Sequence, residues 1–236
     1  MERAIVMLLS ACWLTSGLAF NQAQQLFLLC VRNAPPTPPL PYDAEVEYLE
    51  STGTQYIDTG IVPLLGTSMH IKFSPLLAYS TYEYCFCGAA NALNSQPHYD
   101  VNAYRGHITI WNGSSFFDTS AQLAVDAMYD LYVNASSTTL SVTVNGSVVT
   151  GSRNNGMYSA NSFYIFSLNV DNQAYRHTKM RLYGFEMTYD SVLLRDMIPV
   201  RFTNEQNQSE GAMYDRVSGA LFRNAGTGAF TIGPDK

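Results

Sequence analysis

The chain has 236 residues, of which 47% are hydrophobic and 14% charged, enough to bury one sizeable core, and a single β domain of nearly full length is the simpler division. A formal net charge of -6 with thirteen Lys plus Arg leaves no basic stripe to neutralise phosphates, so no nucleic-acid partner is expected. Sixteen Tyr and twelve Phe suit pleated, half-buried strand surfaces better than helix faces and point to an all-β body.

Residues 1–32 form an apolar N-terminal segment. Its first burst, Ala4 to Phe20, is slightly short for a membrane span. Three readings stay open for it. Gly17 and Ala19 are small at the two positions a signal peptidase reads, which suits export with cleavage after Ala19. Together with the second burst, Leu26 to Val31, it also suits a retained anchoring or assembly helix, whose partners would be other virion or envelope proteins. A disordered leader is the third. LSAC at Leu9–Cys12 has the outline of a lipobox but leaves too short a hydrophobic region before the cysteine. Residues 33–41, NAPPTPPLP, are a linker, because proline fixes the backbone and removes amide donors. The domain is expected over residues 42–236.

EVEYLESTGTQYIDTG opens that domain with carboxylates at Glu45, Glu47 and Glu50. Gly53 permits a tight turn or bulge, and Ile57 and Ile61 enter the core on either side of Gly60. Beyond it, short runs alternate with period two between turn signals, the pattern of antiparallel strands. Met69, Ile71 and Phe73 share a face, as do Ile108 with Ile110 and Tyr129 with Leu131 and Val133. Cys85 and Cys87 stand two apart in YCFCG; an extended strand puts them on one face as buried free thiols, since pairing there would strain a disulfide. In TTLSVTVNGSVVT, Leu140, Val142 and Val144 point one way and Asn145-Gly146 suits a type I′ turn. FYIFSLNV, Phe163 to Val170, is apolar on both faces and reads as an interior strand. Pro199 is expected at a strand edge or bulge, and Ser218-Gly219 at a hairpin. Two packed antiparallel sheets satisfy this pattern most simply.

Three stretches, EVEYLESTGTQYIDTG, LLRDMIPVR and GAMYDRVSGALFRNAGTGAFTIGP, resemble the opening and closing segments of laminin-G-like, concanavalin A-like lectin domains. Such domains occur in gut-bacterial surface proteins and in structural proteins of their phages. The resemblance covers residues 42–234. It implies a two-sheet antiparallel jelly-roll sandwich whose first and last strands lie close together, and a location at a cell surface, outside the cell, or on a phage virion. It fixes no ligand.

Three functions fit such a chain. The first is a non-catalytic glycan-binding or adhesion module whose partner is a cell-surface polysaccharide. The second is a structural virion or envelope subunit without a sugar site. The third is a glycoside hydrolase, because EVEYLE has the outline of the ExDxxE motif of β-glucanases, in which two carboxyl groups about 5 to 5.5 Å apart do the chemistry. Here Glu47 replaces the middle Asp, no aromatic run adjoins, and the motif opens the domain, so exposed edge carboxylates are the preferred reading. His70, His98, His107 and His177 are scattered without ligand spacing and are expected on loops or the surface. No cofactor or metal is expected, since Asp100, Asp118 and Asp171 form no calcium loop. The NxS tripeptides at Asn112, Asn134, Asn145 and Asn207 read as turn residues. For a sugar, the richest segment is Ser95 to Asp118: Trp111 as a stacking face beside an Asn112-Gly113 turn, with Tyr99, Asp100, Asn102, Tyr104 and Arg105 reading hydroxyls. The alternative is that Trp111 caps the core and the tyrosines cover sheet edges.

Overall fold

The computed structural model describes residues 39–79, 84–93, 95–113, 115–135, 139–152 and 159–236. The N-terminal segment, with Cys12 and Cys30, lies outside the described residues, as does all of the linker before Pro39. Nineteen strands and no helix occur among the described residues. In chain order they begin with β1 (Ala44–Glu45), β2 (Leu49–Glu50), β3 (Ile57–Asp58), β4 (Thr67–Pro75), β5 (Tyr84–Ala92) and β6 (Ser95–Tyr104). Next come β7 (His107–Gly113), β8 (Ser115–Gln122), β9 (Tyr129–Asn134), β10 (Thr139–Val144), β11 (Ser147–Ser152), β12 (Tyr164–Ile165) and β13 (Leu168–Val170). The chain closes with β14 (Gln173–Tyr175), β15 (Met180–Tyr189), β16 (Val192–Thr203), β17 (Ser209–Asp215), β18 (Ala220–Phe222) and β19 (Thr231–Ile232).

Two sheets form a sandwich. The first has the order β11-β10-β9-β4-β15-β16-β17-β18, with β1 on β16 and β2 between β15 and β19. The second runs β14-β13-β5-β6-β7-β8, with β12 joining β3 to β5. Every pairing is antiparallel except the parallel contact of β13 with β5.

The alternation read from sequence places the core. Met69, Ile71 and Phe73 of β4 and Leu131 and Val133 of β9 are buried between the sheets with Ile108 and Ile110 of β7. Each full burial of this kind is worth roughly 1.5–3 kcal/mol. Asn145 and Gly146 take φ of 48° and 83°, the I′ conformation whose twist matches the flanking strands, and hold Leu140, Val142 and Val144 in the core. Gly219, at φ 72°, turns β17 into β18.

The opening and closing strands of the domain meet as the resemblance implies. β19 pairs with β2, and Ala225 N–H donates to Tyr56 O at 2.9 Å. A Cβ at Gly226 would collide with the Thr54 carbonyl, so only glycine permits this approach.

Three expectations are corrected. Cys85 and Cys87 do not share a face. A bulge in the β5–β6 register puts Phe86 and Cys87 in the main core and Cys85 in a cluster with Ala90, Leu168 and Val170, because the extra residue resets the pleat. FYIFSLNV is not one strand. It pairs with β5 antiparallel as β12 and then parallel as β13, reversing at Phe166, whose φ is 72°, a conformation bulky residues rarely hold unless packing enforces it. Pro199 lies inside β16 at the point where its neighbour changes from β15, ending at Met197, to β1, starting at Val200. The ladder is already interrupted there, so the missing donor is tolerated.

Candidate functional site

The β6–β7–β8 meander positions the candidate site. Because side chains alternate across a strand, Tyr99, Val101, Ala103, Ile108 and Ile110 occupy the core face, and His98, Asp100, Asn102, Tyr104, Thr109 and Trp111 the outer one. The register sets these in rows: Asp100 beside Trp111 and Trp111 beside Phe116, then Asn102 beside Thr109 and Thr109 beside Asp118, then Tyr104 beside His107. A two-residue turn, Arg105-Gly106, joins β6 to β7 with φ of 50° and 82°. Asn or Asp is the usual first residue of such a turn. Here an exposed arginine holds the position instead, its guanidinium 5.0 Å from the Tyr104 ring centroid.

The outer face carries an aromatic surface over a buried polar layer. The Trp111 ring centroid lies 5.1 Å from that of Phe116 and 5.6 Å from that of His98, and Tyr104 meets Phe116 edge-on at 5.9 Å. Phe116 is 43% exposed and Trp111 partly so. Beneath them, Asp100 accepts from Asn102 Nδ2 at 2.6 Å and lies 3.1 Å from His98 Nδ1. Asn102 and Thr109 are completely buried. Asn102 Oδ1, Thr109 Oγ1 and Trp111 Nε1 are buried without a hydrogen-bond partner among the described residues.

At its far side His107 Nδ1 lies 3.0 Å from Asp118 Oδ2, and Gln122 contacts the other ring nitrogen. Partial burial would raise the Asp118 carboxyl, but hydrogen bonds from His107 and the Ser120 N–H outweigh it and hold the group below its ordinary value. Asp118 is thus an ionised acceptor at neutral pH.

The structure therefore divides the segment expected to bind sugar. Trp111, Asp100, Asn102, Tyr104 and Arg105 fall on or beside one face. Tyr99 and Asn112 do not: both point into the sandwich and are fully buried, and Tyr99 donates its hydroxyl to Thr67 O at 2.7 Å. Asp100 and Asn102 are also buried, so they support the aromatic surface rather than form it. Asn112-Gly113 ends β7 where the chain returns as β8: Asn112 is opposite Ser115 and Gly113 takes a φ of 66°, so Trp111 does stand beside a reversal. Sequence reasoning took in Phe116, His107 and Asp118 within Ser95 to Asp118 without naming them for the site; the β7–β8 register sets Phe116 beside Trp111 and Asp118 beside Thr109, and His107 lies on β7 itself. It also misplaced two histidines. His98 is buried in β6, and His70 is largely covered in β4.

The three leading carboxylates do not converge on a shared partner. Glu45 and Glu47 are exposed, with Tyr42 OH 3.4 Å from Glu45, whereas Glu50 accepts from Arg181 Nε at 2.8 Å. Among the described residues no three His, Cys, Asp or Glu side chains gather to hold a metal.

No protein-family model and no curated protein matches the chain. In fold it is similar to a Bacteroides ovatus protein provisionally described as carbohydrate binding, with a TM-score of 0.57 and 10% identity over 81% of this chain. The chain spans 61% of that protein's length. More distant are the CBM40 of Ruminococcus gnavus IT-sialidase, at TM-score 0.46 and 11% identity over 66% of this chain and 94% of that one, and Streptococcus pneumoniae NanB sialidase, at 0.43 and 10% over 81% and 39%. At 10% identity the likeness to the Bacteroides ovatus protein shows a shared β-sandwich fold alone.

Proposed function

We propose that the chain is a non-catalytic glycan-binding module, displayed on a bacterial surface or a phage particle, that binds through the outer face of its second sheet. The observation that carries this reading is the aromatic surface of Trp111, Phe116 and Tyr104, with polar side chains at its margin. A pyranose presents an apolar face and a rim of hydroxyls, and this surface offers the complement of both. Arg105 and the Asp118–His107 pair at the margin supply directional hydrogen bonds. Single-site affinity is weak, because hydroxyls must shed water to bind, and many copies on one surface compensate through avidity.

A glycan array followed by calorimetry tests the proposal. Phe116→Ala and Arg105→Ala, both at exposed positions, are expected to weaken the best array ligand about tenfold, the scale of one stacking or charged contact, without changing the melting temperature appreciably. An array without ligands, or affinity unchanged in both variants, would sink the reading. Reducing-sugar release from that ligand would replace it with a hydrolase.

A further inference from the structure

The outer face of the first sheet carries a groove of about 230 Å³ between β9, β4 and β15, walled by Ser68, His70, Tyr132, Glu186, Thr188 and Ser191. His70 and Tyr132 are a cross-strand pair, and their rings stack 3.7 Å apart with planes 10° from parallel. Asp130 Oδ1 lies 2.6 Å from His70 Nε2 and Glu186 Oε1 3.6 Å from Nδ1, so neighbours on both flanking strands restrain the imidazole. Its side chain is only 11% accessible. Tyr132, stacked on this anchored ring, is 47% exposed.

The arrangement is more specific than a surface ion-pair patch. An exposed tyrosine ordinarily samples several rotamers, and ordering it on binding costs about 0.5–1.5 kcal/mol. Here the stack has settled that cost in the unbound protein, which is how a recognition side chain is prepared. The same groove carries the Glu186 carboxylate, an acceptor on a side chain 44% exposed, and the hydroxyls of Ser68, Thr188 and Ser191, which accept as well as donate. A flat apolar face edged by acceptors fits a ring bearing several donors. Glu186 repels an acidic ligand, whereas Asp130 is offset by Lys72, whose Nζ lies 3.4 Å from Asp130 Oδ2. The volume lies below the roughly 300–1,000 Å³ of drug-sized pockets, so it suits one ring and no more.

We propose that this groove is a second ligand site, taking a single non-acidic pyranose ring, neutral or aminated, stacked on Tyr132. It lies on the other sheet from Trp111 and does not depend on that face binding anything.

Saturation-transfer NMR on the full chain tests it, with millimolar methyl glycosides of glucose, galactose, mannose and glucosamine as probes and galacturonic acid as the acidic comparison. At least one non-acidic glycoside is expected to give a signal that persists in Phe116→Ala, survives in Tyr132→Phe, and falls at least about fivefold in Tyr132→Ala, about 1 kcal/mol. Glu186→Gln, isosteric and exposed, should weaken the same signal even if Tyr132→Ala folds poorly. No signal from any non-acidic glycoside, a signal unchanged in both Tyr132→Ala and Glu186→Gln, or galacturonic acid bound through Tyr132 would each overturn the proposal. Loss in Phe116→Ala alone would assign the binding to the Trp111 face and equally reject the second site.

Discussion

Replacing Gly88 with alanine couples the fold to the Trp111 face. Gly88 lies in β5 opposite Asp100 of β6, and an added Cβ would overlap Asp100 Cβ while standing 3.0 Å from both Asp100 Cα and Cys85 Sγ. Asp100 Cα is backbone and Asp100 Cβ is fixed to it, and only Cys85 Sγ ends a side chain, a short and buried one, so β5 and β6 must separate or Asp100 must shift. Overpacking of this kind costs about 1–3 kcal/mol, and obstruction by backbone places Gly88→Ala at about 2–3. In a domain of this size 1 kcal/mol moves the melting temperature by roughly 2–4 °C, so a fall of about 4–12 °C is expected by calorimetry. Asp100 sits beside Trp111 and holds His98 and Asn102, so affinity for any ligand of that face should fall as well. Gly184→Ala is the control. Its Cβ would meet only the Met197 carbonyl at 3.8 Å, and alanine in a strand gains about 0.5–1 kcal/mol over glycine, so its melting temperature should hold or rise. A Gly88→Ala protein melting within about 1 °C of the parent, or falling no further than Gly184→Ala, would refute the packing argument.

Burial pushes the phenols of Tyr79 and Tyr164 up to about 12. Both bind their protons more tightly when folded, so that stability is present in full below about pH 10 and lost as pH climbs to 12; Tyr79→Phe should flatten this alkaline limb in melts from pH 9 to 12. Burial would raise the Asp215 carboxyl, but donors at Asp196 N, the Ser218 hydroxyl and the Val217 and Ser218 amides hold it low. Its contribution is therefore present above about pH 3.9 and lost as pH falls through the lower folded value. Asp215→Ala leaves the Asp196, Val217 and Ser218 donors without their acceptor and removes the carboxylate 3.5 Å from Arg195, which keeps its bonds to Thr59 O and Leu194 O, and should cost about 3 kcal/mol at pH 7 in urea unfolding. Glu50→Gln disturbs only a part-exposed pair with Arg181 and should cost about 1 kcal/mol or less; loss of a glucan-cleaving activity in that variant would revive the hydrolase. A chain shortened to residues 41–236 should keep one cooperative thermal transition, because Tyr42 already packs on Tyr214 with ring centroids 4.9 Å apart.

Local pattern settled much of the architecture. Period-two alternation in TSMHIKF and MYDLYVN assigns each side chain to a face wherever the ladder is regular, and Asn145-Gly146 sets a register through its backbone angles alone. For the same reason the sequence placed Trp111 opposite Ile110. It failed where a single residue shifts the pleat. The bulge after Cys85 and the left-handed Phe166 depend on what packs against them, and neither Phe nor Cys advertises such a conformation. The odd members of the candidate set, Tyr99 and Asn112, were misplaced because a polar atom on a strand does not declare its side; the hydrogen bond from Tyr99 to Thr67, 32 residues away, makes the inward position tolerable. Strand pairing set Phe116 beside Trp111 and Asp118 beside Thr109, and only tertiary structure stacked Tyr132 on His70, 62 positions apart in the chain. Such neighbours are fixed by which strands pair and in what register, a property of the whole sandwich rather than of any one stretch of sequence.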